Sequence, residues 1–509
     1  MPDVITSAPH HAGPCTIVIF GASGDLTKRL LLPALYNLAA IGMLTEDFSI
    51  IGVARREISR DDFCAQMTKA LGEFGTQKID PKLWKRFEER MDYCQGAFDD
   101  PATYERLDVL LKQSEKKHGT GGNALFYLAV EPSYFGKIPA QLKAKGMVDE
   151  RDGKWRRVVI EKPFGRDLAS SRELNHDLSA VLKESQIFRI DHYLGKETAQ
   201  NLLVFRMGNG MFEPIWNRRY IENVQITVAE SIGIEGRGAF YETAGAFRDV
   251  MQNHMFMLLT LVAMEFPSSL SGETVRTEKA KLLQAMRIIT PEAVVRDTVR
   301  GQYGPGKVDG KDVPGYRQEP KVDPQSKVET FAAMKLWVDN WRWAGVPFYL
   351  RSGKRLPKHS TEIVVHFKCP PLDIFDANER DPVGSNRLIF HIQPEEAISF
   401  QVRAKIPGPT IRTRGVKMDF NYNQFGDVSP TTGYEKLLYD CMLGDSTLFH
   451  STAMVEAGWQ VAQPILDGWA NHPPTDFPNY APGDWGPPAA QEMLSSGDDT
   501  WWVEPKPKS

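Results

Sequence analysis

The segment Arg189-Ile-Asp191-His192-Tyr193-Leu-Gly-Lys196 brings a carboxylate, an imidazole, a phenol and an ammonium together within eight residues. With a helical tail, His192 and Lys196 stand one turn apart on a common face, a pairing suited to a phosphate group, while Asp191 points elsewhere. A second segment, Arg248-Asp249-Val-Met-Gln-Asn253-His254, offers an imidazole that can serve as general base once a carboxylate fixes its tautomer and stabilises the imidazolium. On an α-helix Asp249 and His254 lie about 140° apart around the axis. His254 then needs a carboxylate from outside its own helix, and Asp191 is the candidate. The competing reading, a buried and satisfied core histidine, stays open.

Gly21-Ala22-Ser23-Gly24-Asp25-Leu26-Thr27-Lys28 follows the apolar, β-branched run Thr16–Phe20 and precedes a helical pattern. Its backbone N–H groups can face a pyrophosphate at the positive end of that helix; the plain alternative is a tight strand-to-helix turn. The next strand, Phe48–Ala54, ends on Arg55-Arg56 where an NAD site usually places Asp or Glu, so a 2′-phosphate and hence NADP is favoured over a merely solvated strand end. Glu161-Lys162-Pro163-Phe164-Gly165 follows the strand Val158–Ile160 and sets Lys162 at a carboxyl end, where open α/β sheets bind ligands. There the lysine can orient a substrate against a nicotinamide; a surface lysine before a turn proline is the alternative.

These residues need a frame. Strands at Thr16–Phe20, Phe48–Ala54, Ala124–Val130 and Arg157–Ile160 alternate with amphipathic stretches near 60–72 and 81–90, the pattern of a Rossmann-like α/β domain. Past residue 200 the runs Val224–Ala229, Glu362–Phe367, Arg387–Ile392 and Ala397–Val402 alternate or pair through turns, interrupted by one long helical pattern near 240–264. That texture predicts an α+β domain with a large, mainly antiparallel sheet. The expected division is an arm over 1–14, a dinucleotide-binding domain over 15–198 and an α+β domain over 199–509. Gly301–Gly315 and Pro464–Pro488 read as surface loops or wrapping segments, the second docked through Trp469 and Trp485.

At roughly 150 residues per domain, 509 residues allow two large domains. The chain is 42% hydrophobic and 25% charged, with no apolar run near the ~20 residues of a membrane span, as in a soluble globular enzyme. A net charge of −4 lacks the basic field of a nucleic-acid binder, so the expected partner is a small molecule, with neither nucleic acid nor membrane. The basic–aromatic stretch Trp337–Arg355 is therefore read as core packing rather than as a single-strand platform. Five scattered cysteines, Cys15, Cys64, Cys94, Cys369 and Cys441, support neither a disulfide framework nor a metal site. Residues 1–14 lack the cationic start and apolar stretch of a signal peptide, so the expected compartment is the cytoplasm.

In this order and over this length, GASGDLTK, EKPFG, RIDHYLGKE, RDVMQNH and LRSGKRL closely resemble the glucose-6-phosphate dehydrogenase family, from about Thr16 to Trp459. The resemblance implies oxidation of D-glucose 6-phosphate at C1 with NADP to 6-phosphoglucono-1,5-lactone, the first step of the oxidative pentose phosphate pathway, by a homodimer or homotetramer. It implies that His254 is the general base and that Asp191 orients it. His192, Tyr193 and Lys196 then hold the sugar phosphate, Glu230 and Asp249 the sugar hydroxyls, Lys354 and His359 further parts of the substrate, and Lys162 stands between substrate and cofactor. Gly21, Ala22, Ser23, Gly24, Asp25, Leu26, Thr27, Lys28 and Arg55 bind NADP. The chain departs from the family pattern at Glu131, where a proline is common, and at Phe135, where a cofactor-contacting tyrosine is common; a stacking face is expected to remain there without the hydroxyl. Ser360, Val364, His391 and Gln401 replace the basic residues of the second, structural NADP site of eukaryotic relatives, and that site is expected to be absent.

Overall fold

Strand β1 (Cys15–Phe20) is buried at every residue, as a β-branched, apolar run covered on both faces requires. A computed structural model describes residues 11–372, 385–425, 433–494 and Trp501. Among these, β1 lies in a parallel sheet with β2 (Phe48–Ala54), β3 (Met91–Gln95), β4 (Ala124–Leu128), β5 (Arg156–Ile160) and β6 (Ile187–Arg189), in the order β3-β2-β1-β4-β5-β6. The order reverses between β1 and β4, the switch point at which open α/β sheets form a crevice. Local signals set the helices between strands. Ser59 closes a capping box at the start of Arg60–Phe74, Asp80 and Asp100 cap Pro81–Glu89 and Pro101–His118, and left-handed Gly119 ends the last of these.

The remaining strands are β7 (Ile221–Ala229), β8 (Thr298–Gly301), β9 (Gly306–Val308), β10 (Lys311–Val313), β11 (Phe331–Trp337), β12 (Pro347–Gly353), β13 (Ser360–Phe367), β14 (Arg387–Gln393), β15 (Ala397–Lys405) and β16 (Thr413–Asn421). Apart from the hairpin β9-β10, the described ones form one sheet, β16-β15-β14-β13-β7-β12-β11-β8. Every pairing in it is antiparallel except β12 with β7, which run parallel with Ala229 opposite Gly353. This is the mainly antiparallel α+β texture expected past residue 200.

The chain divides into two compact units. The first takes the chain up to Lys196 together with Pro267–Thr277 and Ser429–Glu456; the second takes Glu197–Phe266, Glu278–Val428 and the chain from Ala457. The chain first passes from one unit to the other after Lys196, and two later segments return to the first unit, which the expected division at 198 did not include. Of the expected arm, residues 1–10 lie outside the described residues and the rest is docked: Ala12 is buried and its N–H donates to the Met43 carbonyl at 2.9 Å. Gly301–Gly315 is not a plain loop, since β9 and β10 turn on Asp309-Gly310, both at positive φ. Nor does Pro464 open a loop. It sits inside the helix Thr452–Asn471, whose packing tolerates the one missing N–H.

β13 is buried throughout, and it carries His366. Burial, with Arg387 beside it, pushes that imidazole down to about 3; Arg387 Nε donates to its Nδ1 at 3.4 Å. An unfolded histidine titrates near 6.5, so between pH 6.5 and 3 the unfolded chain binds the extra proton and stability falls on acidification. From pH 7 to pH 4 this one group removes on the order of 3 kcal/mol. Urea unfolding at the two pH values is expected to show a smaller loss for His366→Asn, which keeps an acceptor for Arg387 and does not titrate. An equal loss in both proteins would place the acid sensitivity elsewhere.

Candidate active site

In the first unit the turn after β1 stands at the switch point. Gly21 N–H donates to the Val53 carbonyl at 2.9 Å, and Gly24 N–H closes the turn on the Gly21 carbonyl at 2.9 Å. Thr27 Oγ1 donates to that same carbonyl at 3.3 Å. The φ of Gly21 is +86°, and a Cβ there would collide with the Ala129 carbonyl at the end of β4, so only glycine serves. Ala22 and Thr27 are buried, Ser23, Leu26 and Lys28 half-buried, Gly24 and Asp25 exposed. The Asp25 carboxylate accepts from Arg29 at 3.1 Å. A π-helical turn, Thr27–Leu31, leads into the helix Leu32–Ala40, where Pro33 occupies the first turn without breaking the run. Arg55 is exposed past β2, on a strand end braced by Tyr93 Oη, which donates to the Arg56 carbonyl at 2.5 Å. Phe135 departs from expectation. It is fully buried, so it offers no face to a cofactor, and half-buried Tyr134 is the aromatic residue beside it.

The loop after β5 is held from its first residue. Glu161 accepts from Tyr127 Oη at 2.5 Å and from Tyr434 Oη at 3.2 Å. Burial raises the Glu161 carboxyl, while the two phenols and neighbouring Lys162 pull it back. Lys162 is half-buried and Phe164 buried. Beyond β6, the segment 191–196 is not the α-helix that would stack His192 with Lys196. Successive N–H donations from Leu194, Gly195 and Lys196 to the carbonyls three residues back make it a tight turn, and the helix Glu197–Gly208 starts only afterwards. The Tyr193 N–H donates to Asp191 Oδ1 at 2.9 Å, and the His192 and Tyr193 rings lie 4.9 Å apart. Asp191 is buried and Lys196 half-buried. Arg189, wholly buried, anchors the turn through Asn175 Oδ1 and Thr452 Oγ1, both at 3.0 Å.

In the second unit, Glu230 and Lys354 stand at the carboxyl ends of the adjoining parallel strands β7 and β12, and Lys354 Nζ donates to Glu230 Oε2. The backbone fixes both: Glu230 N–H donates to the Gly353 carbonyl and Leu356 N–H to the Glu230 carbonyl, each at 3.0 Å. Tyr241 lies against the ammonium, its ring centre 5.7 Å from Lys354 Nζ. Burial, followed by Asp249, Glu230 and Glu329, holds its phenol well above the usual range. Its buried hydroxyl has no hydrogen-bond partner among the described residues. His359, by contrast, is exposed.

The expected single α-helix near 240–264 is three pieces: α-helix Gly238–Ala246, π-helix Phe247–Met255 and α-helix Phe256–Ala263. Gly245 breaks the first at φ +64°, where a Cβ would collide with the Glu329 carboxylate. Glu329 then accepts the Phe247 N–H at 3.1 Å and starts the second piece. In a π-helix the repeat relates residue i to i+5. Asp249 and His254 are separated by that interval, so the 140° offset does not apply and the two share a face. Both are buried, on a segment that packs against β7 and β12. The α-helical offset that set Asp249 apart from His254 therefore does not describe this segment.

Four contributors escaped the sequence reading: Tyr127, Tyr434, Tyr241 and Glu329. Glu161 was in view as the neighbour of Lys162, and nothing in the sequence pointed to its phenolic partners. The basic–aromatic stretch is core, as expected: the Arg351 guanidinium is buried 4.5 and 4.6 Å from the ring centres of Trp485 and Trp501. Trp341 is the exception, 91% exposed. No described helix is long and apolar enough to cross a membrane.

Known proteins match both units. Two family models match, "Glucose-6-phosphate dehydrogenase, NAD binding domain" over residues 18–201 and "Glucose-6-phosphate dehydrogenase, C-terminal domain" over 203–502. Glucose-6-phosphate 1-dehydrogenase of Chlamydia pneumoniae is 44% identical over 500 residues, 97% of each chain, and that of Bacillus subtilis (strain 168) 42% identical over 96% of this chain and 98% of its own. A solved glucose-6-phosphate dehydrogenase in complex with its substrate glucose-6-phosphate superposes with a TM-score of 0.86 at 34% identity, covering 97% of this chain and all of that one.

Proposed function

Because the chain belongs to the glucose-6-phosphate dehydrogenase family, a family of oxidoreductases, we propose that it oxidises D-glucose 6-phosphate at C1 to 6-phosphoglucono-1,5-lactone and reduces NADP. The observation that carries this reading lies in the second unit. Glu230 and Lys354 pair at the ends of two parallel strands, with Lys354 against the ring of Tyr241, whose buried hydroxyl is unmatched among the described residues, and the π-helical segment with Asp249 and His254 packs on the same strands. Such a lining suits a ligand rich in hydroxyls, because each buried donor or acceptor calls for a partner.

His254 takes the proton of the anomeric hydroxyl, and Asp191 keeps its imidazole in the tautomer that can accept it. Glu230 and Asp249 accept hydrogen bonds from sugar hydroxyls, Lys354 donates to the sugar, His192, Tyr193 and Lys196 hold the phosphate, and Lys162 orients C1. The residues fit a dinucleotide: the bare turn at Gly21 and Gly24 opens a helix at the switch point. When bound, its nicotinamide supplies the hydride acceptor. Gly21 to Lys28 hold the pyrophosphate and Arg55 the 2′-phosphate; His359, exposed, reaches substrate only from the rim. The half-buried ribbon β15-β16 offers area for a homodimer or homotetramer, in the cytoplasm.

The test is the absorbance of the reduced cofactor with glucose 6-phosphate, run in parallel with NADP and NAD. NADP-linked turnover supports the assignment, and no turnover with either removes it. Arg55→Ala is expected to lower kcat/KM for NADP about tenfold, the loss of one charge-assisted hydrogen bond, and to leave the NAD value unchanged. Equal losses with both cofactors would take the 2′-phosphate away from Arg55.

A further inference from the structure

Asp191 has two carboxylate oxygens, and the turn that follows it uses one: Oδ1 accepts the Tyr193 N–H. Facing the other is a residue from a segment some 260 positions later in the chain but in the same unit. His450 Nε2 lies 3.8 Å from Asp191 Oδ2. Both side chains are 4% exposed or less.

His450 is fixed in this pose from two sides. Its N–H donates to the Arg189 carbonyl at 3.2 Å, and the two residues form an antiparallel bridge at the end of β6, directly before the Asp191 turn. Its ring packs on Phe164, 5.3 Å between centres, in the loop that carries Lys162. One imidazole therefore touches both the carboxylate turn and the lysine loop. A separation of 3.8 Å is ion-pair range and longer than a hydrogen bond, and contacts of this kind tighten when a site is engaged.

We propose that His450 is a positioning residue for the reaction, acting through Asp191. It sets the rotamer and the orientation of the carboxylate that orients His254, and couples that carboxylate to the Lys162 loop through Phe164. This rests on the reading of Asp191 given above. It assigns no contact between His450 and either substrate.

The experiment is a double-mutant cycle with His450→Leu and Asp191→Asn, with His450→Gln as the conservative variant. Gln carries an amide donor at about the reach of Nε2; Leu fills the space without one. His450→Leu is expected to lower kcat about tenfold with KM for sugar phosphate and NADP little changed, to lose nothing further when Asp191 is already Asn, and to be largely rescued by Gln. Thermal unfolding of each variant separates lost fold from lost function. Losses that multiply in the double variant, Gln as poor as Leu, or an unchanged kcat would overturn the role of His450. If Asp191→Asn alone leaves kcat intact, the reading of Asp191 fails first, a result the cycle distinguishes from failure of His450.

Discussion

His254→Asn is expected to lower kcat by about a thousandfold and to leave KM for sugar phosphate and cofactor within a few-fold of the wild type, the loss anticipated when a general base is removed and its space is kept. Asparagine retains a polar planar group at a buried position but has no basicity near neutral pH, so the anomeric proton loses its acceptor. Because the interaction is made as the proton moves, kcat and kcat/KM fall together. Steady-state kinetics beside thermal unfolding decides the matter. A folded variant that keeps more than a tenth of wild-type kcat would return His254 to the rank of a core histidine.

Removing the phosphate from the substrate is expected to cost nearly as much. Charge-assisted hydrogen bonds contribute about 1.5–3 kcal/mol each, so the two from His192 and Lys196 together correspond to roughly 10²–10⁴ in kcat/KM. Part of that loss falls on kcat, since a remote anchor also orients C1 against the acceptor. Glucose should therefore turn over slowly at saturation, and Lys196→Met should depress the rate with glucose 6-phosphate while leaving the rate with glucose alone. Equal kcat/KM for the two sugars would make this an oxidoreductase for non-phosphorylated sugars and strip His192 and Lys196 of their role.

Much of this architecture could be read directly from residue order. Thr16–Phe20 with Gly21 announced the first strand and its turn, because burial on both faces leaves an apolar run, and the runs after residue 220 announced the second sheet by their alternation and turns. The π-helix over Phe247–Met255 was not legible. Its apolar spacing resembles that of an α-helix, and the change of period depends on Glu329, some 80 residues away, capping Phe247 after the break at Gly245. The turn at 191–196 is set in a similar way, since Arg189 is fixed by Asn175 and Thr452 from other elements. Of the candidate site, Asp191, His192 and His254 stood out by residue type and spacing, whereas the contacts of Tyr127, Tyr434 and His450 join segments that sequence spacing does not connect.

The return of Ser429–Glu456 to the first unit bears on how the protein is made. Asn37 Nδ2 donates to Glu435, Arg157 Nη1 to the carbonyls of Cys441 and Met442, and Tyr434 to Glu161. A ribosome that has released the first two hundred residues has delivered all six strands of the parallel sheet but none of these partners. Domains usually fold in the order of synthesis. Here the nascent sheet stays unfinished until the 429–456 segment has followed it, with Glu161 lacking one of its phenols and Asp191 lacking His450 in the interval.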